Sequence, residues 1–211
     1  MLNLKKINII KQRKIVRDID IRLALLKKLE NDYKNDSNTR ILQEFGLREG
    51  ISRIDIAIVN GSLIGYEIKS EADTLERLSY QQQIYSEIFD RMVIIISQSH
   101  KQKIFTLIPS WWEIWLANES VNEITFHVLR KGKDNDYVNP YSIAQCLWRN
   151  EAMEILKNHG LSEGMNKARR SILWEKISNE IDCNELKKYV NTCLRARCNW
   201  NIVWSQQQDD D

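Results

Sequence analysis

The amino-acid sequence predicts an α/β protein whose first hundred residues follow the order α-β-β-β-α-β and whose residues 141–204 form a helical extension. Three observations carry this prediction. Apolar residues recur at helical spacing between residues 17 and 33. Two β-branched runs flank Asn60-Gly61, a strong hairpin signal. The isoleucine-rich run from Met92 to Ser97 is typical of a strand that is buried on both faces.

The first predicted helix extends from Arg17 to about Tyr33 and is followed by a turn-forming cluster at residues 35–38. Its apolar side chains are expected to face the core: Ile19, Leu23, Leu26 and Leu29. Three short strands come next, and a helix with a fourth strand completes the core. The predicted bounds are strands Ile41–Leu47, Arg53–Val59 and Leu63–Lys69, helix Asp73–Phe89 and strand Met92–Ser97.

The pattern is weaker after residue 100. Residues 104–117 contain Pro109 and a tryptophan-rich run, which favour an extended or mixed segment packed on the core, and residues 122–129 favour one more strand. The polar stretch 131–140 is the predicted linker. Three helices are expected at about 142–159, 165–181 and 184–198. This divides the chain into a core with a basic N-terminal arm (1–130), a helical extension (141–204) and a disordered acidic tail (205–211).

Composition is that of an ordinary folded protein, with 43% hydrophobic and 28% charged residues in 211. No apolar run is long enough to span a bilayer, and no secretion signal is evident. The cysteines (Cys146, Cys183, Cys193 and Cys198) have neither paired spacing nor nearby histidines. We therefore expect reduced thiols, a cytoplasmic protein and no zinc site.

Charge is distributed unevenly along the chain. Residues 1–40 carry eleven Lys/Arg against five Asp/Glu, a balance of +6, whereas residues 41–100 carry five against nine, a balance of −4. A basic arm beside an acidic middle suits a carboxylate metal site flanked by a surface that attracts phosphate. Lys11, Arg13 and Lys14 of the arm are the predicted nucleic-acid contacts, although a solvated basic helix is an equal alternative.

The short pattern acid-x-Lys occurs three times, at residues 32–34, 67–69 and 185–187. The first and third occurrences lie in polar helical sequence, where such charges are usually solvated. Only Glu67-Ile68-Lys69 ends an apolar strand, and only it follows a neighbouring strand that carries an acid, Asp55. Context therefore singles out the second occurrence.

Strand alternation predicts where these side chains point. Isoleucines at 54, 56 and 58 share one face of the second strand, which leaves Asp55 on the other face. The same argument on the third strand leaves Glu67 and Lys69 on the face opposite Ile68. Joining the two apolar faces requires a three-residue loop at Asn60-Gly61 or a bulge near Gly65, because a two-residue loop would set Asp55 opposite Tyr66.

Two carboxylates close together on one side of a sheet repel each other, and a bound cation is the usual means of relieving that repulsion. Oxygen ligands without paired histidine or cysteine favour Mg²⁺ or Mn²⁺. Such an ion could activate water for attack on a phosphodiester, with Lys69 stabilising the developing charge. The alternative is a surface salt bridge between Glu67 and Lys69.

The order α-β-β-β-α-β, with Asp55 on the second strand and Glu67-Ile68-Lys69 on the third, resembles the PD-(D/E)XK nucleases. The proline of that name is absent, because Ile54 precedes Asp55. The resemblance implies a restriction-endonuclease-like core with a mixed sheet, metal binding by Asp55, Glu67 and the carbonyl of Ile68, and action of Lys69 on the water nucleophile. Many members add a glutamate, for which Glu44 is the candidate.

The helix after the motif extends the resemblance. Gln81 and Tyr85 match a QxxxY feature, which implies that Gln81 orients the lysine or a metal-bound water. Tyr85 would steady a phosphate or the helix itself, with core packing as an equal alternative. Asp73, Arg77, Gln81 and Tyr85 are each four residues apart and are expected to form one stripe, in which Arg77 contacts phosphate.

The stretch RIDIAIVNGSLIGYEIKSEADTLERL also is similar to a poorly characterised family of small bacterial proteins in this superfamily. The likeness continues through Pro109-Ser110-Trp111-Trp112 and the closing helices. The basic pairs of those helices (Arg169-Arg170, Lys187-Lys188, and Arg195 with Arg197) could bind phosphates, but a packed helical cap is favoured. The tryptophans at 111, 112 and 115 likewise favour core packing over stacking on bases.

The sequence therefore predicts a Mg²⁺- or Mn²⁺-dependent nuclease that acts on DNA, with catalytic residues Asp55, Glu67, Lys69 and Gln81. RNA cleavage is an open alternative, and so is a non-catalytic module of the same fold that binds nucleic acid or a partner protein. A homodimer or an operon-encoded protein partner is also left open. Strand structure, sequence preference and the mode of cleavage are not specified by these motifs.

Overall fold

The computed structural model describes residues 17–120 and 123–197. Its centre is a six-stranded sheet in which the strands follow one another in chain order. Pairing is antiparallel between the first three strands and between the last two, and parallel on both sides of the fourth, so the sheet is mixed. The strands are β1 (Arg40–Leu47), β2 (Ser52–Val59), β3 (Leu63–Lys69), β4 (Arg91–Ile96), β5 (Glu113–Glu119) and β6 (Ile124–Arg130).

Seven helices surround the sheet in the described part of the chain: α1 (Asp18–Asp32), α2 (Leu78–Ile88), α3 (Ile104–Leu107), α4 (Pro140–Ala144), α5 (Arg149–Asn158), α6 (Arg170–Glu180) and α7 (Cys183–Ala196). Helix α2 is the crossover between the parallel strands β3 and β4, which cannot be joined by a tight turn. The predicted order α-β-β-β-α-β is confirmed through β4. Within the described residues, no helix has the length and apolar character needed to cross a membrane.

Helices cover both faces of the sheet. On one face, α1 packs Ile21, Leu25 and Leu29 against isoleucines of β2 and β4. On the other face, α2 and the C-terminal helices form a single hydrophobic cluster with the sheet, which includes Trp112 and Trp174. The basis of this arrangement is the apolar run of β4, which is buried along both sides.

The buried stripe of α1 differs from the predicted one. Ile19 and Leu23 are exposed, whereas Ile21 and Leu25 are fully buried. Both sets are spaced four apart, so periodicity alone could not choose between them. In the observed rotation, Arg22 turns toward the middle of β1 and β2, where it pairs with Glu44 and Asp55.

The β2–β3 hairpin has the predicted three-residue loop. Val59 pairs with Leu63, and Asn60 donates its N–H to the carbonyl of Ser62 at 3.2 Å. Gly61 has φ +91°, a conformation that side chains with a Cβ rarely adopt. Pairing then runs without interruption to Ile56 and Tyr66. Beyond that pair, Asp55 Oδ2 accepts the backbone N–H of Ile68 at 2.7 Å.

The alternation of side chains inverts in the middle of β1 and β2. Ile54 belongs to the cluster on the α2 face, whereas Ile56 and Ile58 belong to the cluster on the α1 face. The prediction that the three isoleucines share one face is therefore wrong. The inversion lies at Glu44, which has φ 53°: Gln43 pairs with Ile56 and Phe45 with Ile54, whereas the register contains no pair between Glu44 and Asp55.

Helix α2 begins later than predicted. Asp73 accepts hydrogen bonds from the N–H and hydroxyl of Ser70, at 2.8 and 2.6 Å, which hold the chain in a turn before the helix. Asp73 and Arg77 consequently precede the helix that begins at Leu78, and the predicted four-residue stripe is wrong for these two. Gln81 and Tyr85 do lie on the helix.

The C-terminal part departs from the sequence prediction mainly in its first helix, which is split into α4 and α5 at Trp148. The stretch 131–139 has no regular structure but is anchored to the core, since the Asn135 side chain donates to the carbonyls of Ser86 and Phe89. Trp112 is fully buried, and Trp111 and Trp115 are partly buried, as core packing requires. The arm before residue 17 and the acidic tail lie outside the described residues.

Candidate functional site

An open cleft of about 900 Å³ lies beside the inverted part of β1 and β2, between α1 and the start of α2. Glu44 and Asp55, which lie at the level of the inversion, both line the cleft. Most of the predicted site residues line this cleft: Glu44, Asp55, Glu67, Ile68, Lys69, Arg77 and Gln81.

Asp55 is held by two donors. Its Oδ2 accepts the backbone N–H of Ile68 at 2.7 Å, and its Oδ1 accepts from Nη2 of Arg22 at 2.6 Å. Burial nevertheless raises the pKa of this carboxyl above its ordinary value, although both donors and Lys69 act in the opposite direction. Asp55 is thus a charge that the fold stabilises only in part.

Glu67 and Lys69 form a buried ion pair in which Nζ lies 2.7 Å from Oε1, with the side chains 3% and 9% exposed. A solvated surface salt bridge, the alternative interpretation of this motif, is therefore wrong. Burial and then the charge of Asp55 raise the pKa of Glu67 to about 7, against the opposing effect of Lys69. Both carboxylates consequently gain from an additional positive charge in the cleft.

Gln81 connects the members of this group. Its Oε1 accepts from Nζ of Lys69 at 3.1 Å, and its Nε2 donates to Glu67 Oε1 at 3.0 Å. The side-chain amide therefore fixes the lysine relative to the glutamate. The catalytic role that the QxxxY resemblance implies for Gln81 stays a prediction.

Tyr85 is fully buried, which leaves it no surface for a nucleic-acid phosphate. Its hydroxyl lies 2.7 Å from the carbonyl of Arg53 and 3.0 Å from Glu67 Oε2, and its one proton can serve only one of these acceptors at a time. The predicted phosphate contact is therefore corrected to a packing and hydrogen-bonding role that ties α2 to β2 and β3.

Sequence reasoning missed Arg22 of α1, the cation that lies among the carboxylates of the cleft. Its guanidinium pairs with Glu44 and Asp55, and it contacts Asp18 one helical turn earlier at 3.2 Å. The only signal in the sequence was the i, i+4 pair of Asp18 and Arg22, which is common on solvated helices.

Glu44 lines the cleft but does not join Asp55 and Glu67 in a ready-made cluster. It pairs with Arg22 and with Arg53, the latter at 2.6 Å. Across residues 17–120 and 123–197, no group of three or more histidine, cysteine or carboxylate side chains is placed to hold a metal ion. The predicted convergence of three carboxylates is therefore wrong for this conformation.

The donor set that remains still has the chemistry of a hard-cation site. Asp55 and Glu67 supply two carboxylates, and Ile68, which also lines the cleft, supplies a carbonyl. All are oxygen donors, and burial raises the pKa values of both acids above their ordinary range. These residues fit Mg²⁺ or Mn²⁺ with several waters, rather than zinc.

The basic residues divide by location. Arg77 is exposed at the cleft, where a phosphate could reach it. In the C-terminal helices, by contrast, Arg197 pairs with Glu151, Lys187 with Asp90 and Arg170 with Glu49, as a packed helical cap requires. Lys11, Arg13 and Lys14 lie outside the described residues. The described cysteines are free thiols: Cys146, Cys183 and Cys193.

Comparison with known proteins gives one family. A family model described as bacteriophage P4 protein cII matches residues 11–209. Protein cII of Enterobacteria phage P4 is 25% identical over 185 residues, which cover 87% of this chain and 68% of that protein. Among solved structures, a protein of unknown function from Silicibacter pomeroyi is 17% identical with a TM-score of 0.40, over 72% of this chain and 100% of that one.

Proposed function

The chain belongs to the bacteriophage P4 protein cII family, and we propose that it is a metal-dependent nuclease that hydrolyses phosphodiester bonds in DNA. One observation carries the proposal. Asp55, Glu67, Lys69 and Gln81 line a single cleft, and the last three are joined by hydrogen bonds of 2.7 to 3.1 Å. Buried acids and a lysine gathered in a cleft are typical of catalytic sites, because their charges are costly to maintain for stability alone.

The proposal includes a restriction-endonuclease-like core. Its support is the order of α1, β1, β2, β3, α2 and β4, together with the acid on β2 and the Glu67-Ile68-Lys69 motif at the end of β3. The mixed pairing of the sheet agrees with that arrangement.

In the proposed mechanism, Asp55, Glu67 and the carbonyl of Ile68 would hold Mg²⁺ or Mn²⁺. When bound, such an ion polarises the phosphodiester and lowers the pKa of a bound water. Lys69, kept in place by Gln81, donates a hydrogen bond to the attacking water or to the phosphoryl oxygen. The water oxygen forms a bond to phosphorus as the bond to the leaving oxygen breaks; solvent accepts the water proton and supplies one to the leaving group.

The first test is incubation of the purified full chain with supercoiled, linear and single-stranded DNA, in Mg²⁺, Mn²⁺ or EDTA. Cleavage in either ion and none in EDTA is the expected result. RNA is tested in a parallel reaction, and cleavage of RNA alone would assign RNA as the substrate. No cleavage of any of these nucleic acids in either ion would contradict nuclease function and favour a binding module.

A lysine substitution tests the mechanism. Lys69→Ala should lower the cleavage rate by roughly 10²–10³-fold, because it removes the donor aimed at developing charge. Lys187→Ala is the matched control. Lys187 is the lysine of another acid-x-Lys pattern and also pairs with a carboxylate, Asp90, but it is not among the residues that line the cleft. Circular dichroism should show both variants folded. Full activity of the Lys69 variant would refute this role.

A further inference from the structure

Arg22 is the cation that lies among the carboxylates on the α1 side of the cleft. Its Nη2 lies 2.6 Å from Asp55 Oδ1 and 3.2 Å from Asp18, while Nη1 pairs with Glu44 and lies 3.4 Å from the carbonyl of Asp55. The side chain is 13% exposed, so little water competes for these contacts. One guanidinium thus links three carboxylates that come from α1, β1 and β2.

We propose that Arg22 is an internal counter-cation of the metal site, and that it must release Asp55 before a divalent cation binds there. The inference rests on the proposed function and adds a determinant of metal affinity to it. A divalent ion needs Asp55 oxygens, yet Oδ2 is engaged by the N–H of Ile68 and Oδ1 by Arg22. The ion and the guanidinium therefore compete for the same carboxylate.

The geometry supplies a partner for the released guanidinium. Asp18 precedes Arg22 by four residues on α1, and its Oδ2 lies 3.3 Å from Nε and 3.2 Å from Nη2. Residues at this spacing remain neighbours whatever the rest of the cleft does. Arg22 can consequently leave Asp55 and Glu44 while it keeps one carboxylate, and its freed N–H groups then face the cleft.

The test measures metal affinity without nucleic acid. Mn²⁺ is titrated by calorimetry at pH 8 into the full-length wild-type chain and into Arg22→Met. Removal of the competitor should tighten Mn²⁺ binding by roughly tenfold or more, because a charge-assisted contact no longer has to be broken. Asp55→Asn should weaken binding in both backgrounds, which assigns the signal to this site.

Arg48→Met is the matched control. Like Arg22, Arg48 pairs with a glutamate, Glu87. Neither Arg48 nor Glu87 is among the residues within 17–120 and 123–197 that line the cleft. Substitution of Arg48 should leave Mn²⁺ affinity unchanged. If circular dichroism shows that Arg22→Met does not fold, Arg22→Lys takes its place in the titration. Lysine keeps the positive charge but loses the two-pronged guanidinium contact, so the affinity for Mn²⁺ should rise by a smaller factor.

The outcomes separate the two proposals. Wild-type Mn²⁺ binding that depends on Asp55 but does not tighten in the Arg22 variants would overturn the inference and leave the metal site intact. Binding by Arg22→Met but not by wild type would support the inference strongly. Absence of Mn²⁺ binding in every folded variant would overturn both the inference and the metal-dependent mechanism.

Discussion

At the level of single residues, complete burial and the nearby charge of Asp55 both disfavour a charged Glu67 carboxylate, although Lys69, Gln81 and Tyr85 donate hydrogen bonds to it. Burial and then the Asp55 charge raise its pKa to about 7, while Lys69 and Tyr85 lower it less. A carboxyl with a raised pKa favours the folded state when protonated. Its stabilising contribution is therefore present below its unfolded value near 4.5 and is lost as pH rises through about 7.

This gives a pH-dependent stability difference between wild type and Glu67→Gln. The free energy of unfolding of wild type, measured by urea titration in EDTA, should fall relative to that of the variant between about pH 4.5 and 8. The loss should be on the order of 3 kcal/mol, since a tenfold change in proton affinity corresponds to about 1.4 kcal/mol. Parallel pH profiles of the two proteins would refute the buried, repelled state assigned to Glu67.

Several site residues could be predicted because their positions depend on short-range rules. The three-residue loop sets the hairpin register that brings Asp55 to the Glu67-Ile68-Lys69 motif, and the end of an apolar strand marks Lys69. Arg22 could not be predicted, because the destination of a long side chain depends on how α1 is rotated on the sheet. The same rotation decided between the two apolar stripes of that helix.

Among the secondary-structure elements, the paired strands β1 and β2 carry the feature that shapes the cleft. Glu44 has a positive φ of 53°, and the side-chain alternation of both strands inverts at that level. A residue with a Cβ pays a conformational cost in this region that glycine does not. Strand propensity gave no indication of this, because a single distorted residue changes neither the apolar content nor the length of a strand.

Two substitutions at this position separate backbone strain from loss of the carboxylate. Glu44→Gly should be more stable than Glu44→Ala by about 1 kcal/mol in the free energy of unfolding, because only glycine relieves the positive φ. Both variants lose the contacts to Arg22 and Arg53, so the comparison isolates the backbone.

The neighbouring exposed residue provides the control for that comparison. Gln43 is not among the described residues with positive φ, so Gln43→Gly should be less stable than Gln43→Ala. Thermal or urea unfolding of the four variants decides the point. If the glycine variant is less stable than the alanine variant at both positions, Glu44 stores no strain.

Element boundaries were predictable where a strong local signal existed and not elsewhere. Strand β3 has its predicted limits, because the hairpin loop and the polar residue after Lys69 define both ends. The start of α2 was placed too early, since the Asp73 to Ser70 hydrogen bonds that delay it leave no mark on periodicity.

For the whole molecule, the cleft does not present a strongly positive surface to a nucleic acid. Five acidic residues (Asp18, Glu44, Asp55, Glu67 and Asp73) and four basic ones (Arg22, Arg53, Lys69 and Arg77) line it. Attraction of a polyanion must therefore come mainly from elsewhere in the chain. Residues 1–40, with eleven basic against five acidic side chains, carry the largest positive excess in the sequence.

Salt titration tests whether the basic arm supplies most of the attraction for DNA. Charge reversal of the arm (Lys5, Lys6, Lys11, Arg13 and Lys14) should weaken DNA binding for all sequences and flatten the log–log salt dependence, which has a slope near −0.9 per duplex phosphate contacted. Fluorescence anisotropy in the Lys69→Ala background measures binding without cleavage. The same salt titration on a variant with reversed charges at Arg169 and Arg170 provides the comparison. An unchanged slope in the arm variant would instead favour docking of the arm to an acidic protein partner.

The described residues that line the cleft all lie between Asp18 and Gln81, although the chain continues for more than a hundred residues. For the evolution of the family, this separates two kinds of mutation. If the chain is the proposed nuclease, a change in the first segment can alter its chemistry directly, whereas a change in the C-terminal helices acts mainly through the stability of the shared core. Selection on activity should therefore constrain individual side chains in the first segment, and selection on folding should constrain only volume and polarity in the second.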